Sequence, residues 1–213
     1  MNKPFIIAHR GASADAPENT IPAFNLAWEQ EADGIECDLH VTRDGKIVCI
    51  HDATTERTAG DDTVIAEASL DELQALTPDN SMEGFSDVRI PLAAEVFNLV
   101  PDNRQIYIEI KSGPEIVAPF MSELENSSLK PEQINIISFH EDVIRLCKET
   151  APEMRANLLK NLNDISIEDV LPILERIGAD GLSALWSSIE DDEVNLVLEN
   201  QFECHVWTVD DPE

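Results

Sequence analysis

The sequence predicts an α/β protein whose parallel strands close into a (β/α)8 TIM barrel, and three observations favour this fold class. Short apolar runs typical of strands alternate with amphipathic helical patterns along most of the chain. The strand candidates number about eight, which suits a closed barrel better than an open doubly wound sheet. Neither GxGxxG nor GxxxxGK occurs, so nothing supports a nucleotide-binding alternative.

The first alternation joins the strand-like run PFIIAH to the helical pattern TIPAFNLAWEQ. Ile21, Phe24 and Trp28 fall on one face of this helix, and Asn19 or Thr20 is suited to cap it. The residues between the run and the cap therefore form a loop at the C-terminal end of a strand. In α/β barrels, that end of the strands carries the chemistry.

The next two strand candidates, GIECDLHV and KIVCIH, are separated only by TRDG, a turn too short to contain a helix. Residues 52–104 then depart from the simple alternation. They contain two helical patterns, SLDELQAL and LAAEVFNLV, on either side of the loop-like stretch PDNSMEGFSD. We therefore predict an insertion over 52–104, after the third strand.

The remaining elements resume the alternation of strands and helices. The predicted strands are QIYIEIK, INIISF, RANLL, a run within GADGLSAL, and FECHVWTV. The predicted helices are VIRLCKE, IEDVLPILERI and EVNLVLEN. We predict one domain over 1–213, with a truncated C-terminus, because a typical barrel has about 250 residues and no helix follows the last strand here.

The charge balance limits the partners of the protein. The 213 residues include 14 Lys and Arg against 43 Asp and Glu, which gives a formal net charge of -29. Such a chain repels nucleic acids and anionic membrane surfaces, so we expect no nucleic-acid partner. The excess of carboxylates is typical of a solubilising surface.

Targeting and cysteine patterns favour a cytoplasmic protein. No apolar run has the length of a membrane span, and the first residues lack the pattern of a secretory signal, so we expect no stable membrane insertion. The four cysteines show no CxxC spacing, so they are expected to be reduced core residues rather than zinc ligands: Cys37, Cys49, Cys147 and Cys204.

Carboxylates recur on one face of two predicted strands. In GIECDLH, Glu36 and Asp38 share a face, which the alternation extends to His40; in QIYIEIK, Glu109 and Lys111 share one. A solvent-exposed antiparallel face or a surface Glu–Lys pair would also give these patterns. If a barrel brings the strand ends together, the three carboxylates form an oxygen-rich site for a hard cation such as Mg²⁺ or Ca²⁺.

Histidines and basic residues occur at the same strand ends. His9 and His51 each follow an apolar run, and a pair of imidazoles beside carboxylates suggests a general acid and a general base. Arg10 and Lys111 supply positive charge, and the guanidinium fork suits phosphate oxygens. Structural histidines and local salt bridges are the alternatives for these residues taken singly.

With these positions assembled, the chain resembles the glycerophosphodiester phosphodiesterase family. The resemblance covers essentially the whole chain and rests on five segments in the expected order: HRGASADAPENT, IECDLHVTRDGKIVCIHD, YIEIK, ISF and VWTVD. It implies a (β/α)8 barrel with an insertion after the His-Asp strand. It also implies that the enzyme hydrolyses small glycerophosphodiesters to sn-glycerol 3-phosphate and an alcohol.

The resemblance also implies roles for individual residues. Glu36, Asp38 and Glu109 would ligate a divalent metal ion, Mg²⁺ or Ca²⁺, and His9 and His51 would be the acid–base pair. The residues expected to bind the substrate or its phosphate are Arg10, Lys111, Phe139 and Trp207. Glu18 and Asn19 match an element that would hold the first loop.

The sequence leaves the order of the two histidines and two alternative functions open, and it departs from the family pattern at its C-terminal end. The order of the two histidines as acid and base is undecided. A lyase-like phospholipid phosphodiesterase that releases a cyclic phosphate is one alternative, and a non-catalytic barrel-type binding protein is another. The family usually continues past the WTVD-type strand and often carries Asn where this chain has Asp210.

Overall fold

A computed structural model of the protein describes residues 5–79 and 82–210. The chain forms two compact units, Met1–Ile134 and Asn135–Glu213. Strands and helices alternate through both, which confirms the predicted α/β class. The single domain over 1–213 and the insertion over 52–104 stay predictions.

The first unit combines β-strands with short helices. Its strands are β1 (Ile7–Ala8), β2 (Gly34–Val41), β3 (Ile47–Cys49) and β4 (Gln105–Ile110). Its α-helices in the described ranges are α1 (Ile21–Glu29), α2 (Glu56–Ala59), α3 (Leu70–Gln74), α4 (Ala93–Phe97) and α5 (Val117–Glu125).

β2 is the central strand of the first unit. It pairs in parallel with β1 and with β4. β3 pairs with β2 in the antiparallel direction, so the expectation of a wholly parallel sheet is wrong for this strand. The reason is the short connection: the amide of Thr42 and the carbonyl of Lys46 close a tight turn at 2.8 Å, and a parallel crossover needs a much longer segment.

Helix α1 begins as the sequence predicts. Thr20 is the N-cap, and its hydroxyl accepts a hydrogen bond from the amide of Ala23. Phe24 is fully buried, whereas Ile21 and Trp28 are only partly buried. Only the centre of the predicted apolar face, at Phe24, is therefore fully buried, and its two ends are partly exposed.

The segment after β3 forms a core of its own against that strand. Val48 and Ile50 pack with Ile65, Leu73 and Ile90, all of them buried. The predicted helical patterns correspond to α3 and α4. The loop-like stretch between them includes positions 80 and 81, which lie outside the described residues.

The second unit is a regular succession of parallel strands and helices. Its strands are β5 (Ile134–Ser138), which begins at the last residue of the first unit, β6 (Arg155–Lys160), β7 (Gly181–Leu185) and β8 (Glu203–Trp207). Its helices are α6 (Glu141–Thr150), α7 (Ile167–Ile177) and α8 (Asp191–Glu199). Each strand pairs in parallel with the next, in the order β5, β6, β7, β8.

The cysteines lie mostly in the interior of the protein. All four cysteines are free thiols, and Cys37, Cys49 and Cys147 are buried while Cys204 is partly buried. Among the described residues, none of the helices combines the length and the apolar character that crossing a bilayer requires.

Candidate metal centre and active site

Three buried carboxylates meet at one point of the first unit. Glu36, Asp38 and Glu109 each offer an oxygen, and these oxygens all lie within 4.8 Å of one another. All three residues are buried, Asp38 completely. The alternative of a solvent-exposed carboxylate face is therefore wrong for both strands.

Strand pairing explains why these residues meet. Glu36 and Asp38 lie two positions apart on β2, so their side chains share one face of the strand. Asp38 is the register partner of Glu109 on β4. His9 immediately follows β1, whose Ala8 pairs with Ile35, so the first loop begins level with Glu36.

Two cations contact this carboxylate cluster. The ammonium of Lys111 lies 2.6 Å from Oε1 of Glu109 and 3.1 Å from Oδ1 of Asp38. Nε of Arg10 lies 3.3 Å from the other Asp38 oxygen, and the amide of Arg10 donates to Oε2 of Glu36 at 2.9 Å. The positive charges thus lie against the metal-ligand candidates, where they could also face an anionic ligand.

Asn19 fixes Asp38 by a reciprocal pair of hydrogen bonds. Its Nδ2 donates to Oδ2 of Asp38 at 2.7 Å, and its Oδ1 accepts from the amide of Asp38 at 3.1 Å. Asn19 and Arg10 both have φ in the left-handed region, at 55° and 60°, which non-glycine residues adopt at some conformational cost. The first loop is therefore held in a specific conformation at the carboxylate cluster.

The three carboxyl groups of the cluster differ in the direction of their pKa shifts. Burial, followed by the charge of Asp38, raises the pKa of Glu36 well above its ordinary value. Burial also raises the pKa of Glu109 to about 7, against the opposing effect of Lys111. For Asp38, burial is outweighed by the charges of Lys111 and Arg10, which hold its pKa below the ordinary value.

These residues fit a hard divalent cation. The donors are carboxylate oxygens only, the type that Mg²⁺ and Ca²⁺ prefer. Two oxygens that bind one such ion at about 2.0–2.6 Å lie no more than about 5 Å apart, which matches the observed spacing. Oε1 of Glu36 is buried and accepts no hydrogen bond in the described part of the chain, so it is available as a ligand.

Both predicted catalytic histidines belong to the first unit. Nε2 of His9 lies 3.9 Å from Oε2 of Glu36, and burial, followed by the charge of Arg10, lowers the pKa of His9. His51 is partly buried, and its Nδ1 lies 2.6 Å from Oδ1 of Asp52. The ring of His40 contacts the carbonyl oxygen of His51 at 3.1 Å, which fixes the backbone of that residue.

The two aromatic candidates belong to the second unit. The rings of Phe139 and Trp207 make an edge-to-face contact with centroids 5.7 Å apart. Nε1 of Trp207 donates to the carbonyl of Ser183 at 3.0 Å. Phe139 is 44% exposed, so it is not the fully buried core residue that its strand-end pattern alone would suggest.

Sequence reasoning missed part of the site. Asp52 contacts the predicted catalytic residue His51, and Arg57 contacts Asp52 and Glu18. Neither is among the residues predicted from the sequence, which predicts only a loop role for Asn19. For Asp52 the signal was its place directly after His51, since a carboxylate commonly orients a neighbouring imidazole. For Arg57 the linear pattern carried no such signal.

The raised pKa of Glu109 predicts how metal binding depends on pH. Between its ordinary value of 4.5 and about 7, the folded chain holds a proton that the unfolded chain has lost. This group therefore destabilises the metal-free protein increasingly as pH rises through that window. A cation binds the deprotonated form, so we expect Mg²⁺ to raise the melting temperature more at pH 8 than at pH 5.5. Equal shifts at the two pH values, measured by calorimetry, would contradict this.

Comparisons with known proteins agree with the resemblance seen in the sequence. The glycerophosphoryl diester phosphodiesterase family matches residues 9–213. A glycerophosphodiester phosphodiesterase of Caldanaerobacter subterraneus subsp. tengcongensis is 34% identical over 98% of this chain and 86% of its own length. A glycerophosphodiester phosphodiesterase of Bacillus subtilis is 24% identical over 95% of this chain and 75% of its own length.

Solved structures agree as well. An Oleispira antarctica phosphodiesterase in complex with the product sn-glycerol-3-phosphate superposes with a TM-score of 0.90 at 24% identity, over 98% of this chain and 85% of that one. A glycerophosphodiester phosphodiesterase of Thermotoga maritima superposes with a TM-score of 0.80 at 28% identity, over 100% of this chain and 89% of that one. The family match and the 34% identical relative together establish that the chain belongs to the glycerophosphoryl diester phosphodiesterase family, and the predicted enzyme class is confirmed.

Proposed function

We propose that this phosphodiesterase hydrolyses glycerophosphodiesters to sn-glycerol 3-phosphate and a free alcohol, with a divalent cation bound by Glu36, Asp38 and Glu109. The observation that carries the proposal is the convergence of these three buried carboxylates within 4.8 Å. The product named for the Oleispira antarctica phosphodiesterase supports the choice of substrate. Mg²⁺ and Ca²⁺ are the proposed ions, because the donors are all carboxylate oxygens.

Arg10 and Lys111 bind the phosphate oxygens in this proposal. Both already lie against the carboxylate cluster, at 3.3 Å from Asp38 and 2.6 Å from Glu109. A bound phosphodiester would give these cations an additional anionic partner. Preorganised positive charge stabilises the negative charge that develops on the phosphate oxygens during displacement. The bound ion would add Lewis-acid polarisation of the same oxygens.

His9 and His51 transfer the protons. One imidazole removes the proton from the nucleophile, which is either water or a glycerol hydroxyl of the substrate, and the other protonates the departing alcohol. The lowered pKa of His9 favours its neutral form. The contact of His51 with Asp52 orients its ring. The division of acid and base between them is left to experiment.

The proposal extends to the substrate pocket, the fold and the cell compartment. Phe139 and Trp207 line the substrate site, supported by the exposure of Phe139 and by their mutual contact. The likeness to solved structures over 98–100% of the chain supports a (β/α)8 barrel, within which 52–104 is the proposed insertion. The net charge of -29 supports an enzyme that acts on small molecules and binds no nucleic acid, and the cytoplasm is its proposed compartment.

Product analysis tests this function. Glycerophosphoethanolamine is incubated with the protein and Mg²⁺ or Ca²⁺, and the phosphorus-containing products are identified by ³¹P NMR. We expect sn-glycerol 3-phosphate as the final product. Accumulation of a cyclic glycerol phosphate would favour the lyase-like alternative. Absence of any turnover across the glycerophosphodiesters of choline, ethanolamine, glycerol and inositol would contradict the proposal.

A further inference from the structure

A continuous series of contacts joins the two loops that carry the predicted catalytic histidines. Nδ1 of His51 lies 2.6 Å from Oδ1 of Asp52. Nε of Arg57 donates to Oδ2 of Asp52 at 2.6 Å. The two terminal nitrogens of Arg57 donate to the two oxygens of Glu18 at 2.7 and 2.8 Å. Glu18 also accepts from Arg10 at 3.1 Å.

We infer that Asp52 and Arg57 are positioning residues that hold the imidazole of His51 in a single tautomer and orientation for proton transfer. The inference rests on the proposed function, in which His51 exchanges a proton with the substrate. Neither residue ligates the metal or binds the phosphate in that proposal. Both act through His51.

The contact with Asp52 determines the tautomer of the neutral ring. An ionised carboxylate can only accept hydrogen bonds, so Nδ1 of His51 must carry the proton. The lone pair is then on Nε2, the nitrogen that remains to exchange a proton with a ligand. Asp52 is the ionised partner in this arrangement, because Arg57 and His51 lower its pKa against the effect of burial.

Arg57 keeps Asp52 in place. The carboxylate of Asp52 is 31% exposed, so without a second partner it could rotate away from the imidazole. Arg57 binds its other oxygen, and the contact of His40 with the His51 carbonyl holds the backbone at the same position. The ring of His51 is therefore held in two ways, by the side chain of Asp52 and by the fixed backbone of His51 itself.

Glu18 connects this arrangement to the first loop. Its carboxylate takes the guanidinium of Arg57 in a two-pronged contact and is only 12% exposed. Such bidentate, charge-assisted pairs are stronger and more directional than single contacts. The same carboxylate accepts a hydrogen bond from Arg10. Glu18 therefore contacts both the proposed phosphate-binding residue Arg10 and the arginine that holds Asp52 beside His51.

An ordinary surface ion pair is the alternative interpretation. Arg57 is 46% exposed, and exposed ion pairs contribute about 0–1 kcal/mol to stability. Under that interpretation, loss of Arg57 would barely change turnover. The chain offers a matched control: Arg89 pairs with Glu95 at 3.1 Å on an exposed surface of the same unit, and Glu95 also accepts a hydrogen bond from the amide of Leu92.

Steady-state kinetics distinguish the two interpretations. We expect Arg57→Ala and Asp52→Asn each to lower kcat about 10- to 100-fold, the range found when the partners that orient catalytic ligands are removed, with KM changed by less than about threefold. The double variant should lose little more than the worse single variant, because both act on one imidazole. Arg57→Lys should recover only part of kcat, since an ammonium lacks the fork. Arg89→Ala should equal the wild type.

A spectroscopic measurement reports on the imidazole itself. Long-range ¹H–¹⁵N correlation spectra of ¹⁵N-histidine-labelled protein at pH 9, assigned with His51→Ala, should show His51 as the Nδ1-protonated tautomer. In Arg57→Ala and Asp52→Asn, we expect signals of a mixed or Nε2-protonated ring. Circular dichroism establishes that each variant is folded, and Arg57→Lys supplies the test if Arg57→Ala is not.

The outcomes separate this inference from the proposed function. The spectra require no turnover, so a wild type without phosphodiesterase activity would contradict the proposed function while the tautomer still tests the contact network. A wild-type His51 that is not Nδ1-protonated would overturn the inference. So would a folded Arg57→Ala variant with kcat within twofold of wild type, or one whose kcat falls while the His51 signals stay unchanged.

Discussion

Replacement of His9 or His51 by alanine should lower kcat about 10²- to 10⁴-fold, the range typical of a lost general acid or base, while the protein stays folded. Both imidazoles are partly exposed. Neither belongs to the buried core, which is formed by apolar side chains. Their removal should therefore change the melting temperature little. Kinetics with glycerophosphoethanolamine and thermal unfolding check both parts.

A substrate with an activated leaving group separates the two histidines. A glycerol phosphodiester of p-nitrophenol releases an alcohol that needs no protonation, so the variant that lacks the general acid should retain most of its activity towards it. The variant that lacks the general base should stay slow. His140, an exposed histidine of the second unit, gives the control His140→Ala, with expected wild-type kinetics. Near-normal turnover in both His9→Ala and His51→Ala would contradict the assigned acid–base pair.

Glu109→Gln should weaken metal binding strongly without unfolding the protein. The glutamine matches the shape of the protonated carboxyl, which burial already favours at this position by raising the pKa to about 7. It removes one of three anionic ligands, so we expect the affinity for Mg²⁺ and Ca²⁺ to fall at least about 100-fold, more than the loss of an outer partner would cause. Isothermal titration calorimetry measures this affinity directly.

The control for this variant is Glu125→Gln. Glu125 is an exposed carboxylate at the end of α5, and its loss changes the net charge by the same amount without touching the carboxylate cluster. It should bind metal as the wild type does. If Glu109→Gln retained wild-type affinity in a folded protein, the ligand assignment would be wrong.

The local pattern predicted most of the strands and helices and the convergence of the three carboxylates. Alternation along β2 placed Glu36 and Asp38 on one face, and pairing of β2 with β4 brought Glu109 beside them. The direction of β3 was the exception. There the short turn after β2 mattered more than the general rule of parallel α/β sheets.

The parts of the site that were missed depend on tertiary contacts. The reciprocal clamp between Asn19 and Asp38 joins positions 19 residues apart, and the Glu18–Arg57 contact joins positions 39 apart. Neither follows from periodicity, because a loop residue with positive φ and an arginine on a four-residue helix leave no repeating signal. Only the folded backbone brings such residues together.

The central claim is that the three carboxylates form one metal site on which phosphodiester hydrolysis depends. The most direct measurement is a coupled assay for sn-glycerol 3-phosphate release, first in excess chelator and then after addition of excess Mg²⁺ or Ca²⁺. We predict no turnover in chelator and full recovery with the added ion. Undiminished release of sn-glycerol 3-phosphate in excess chelator would contradict the account.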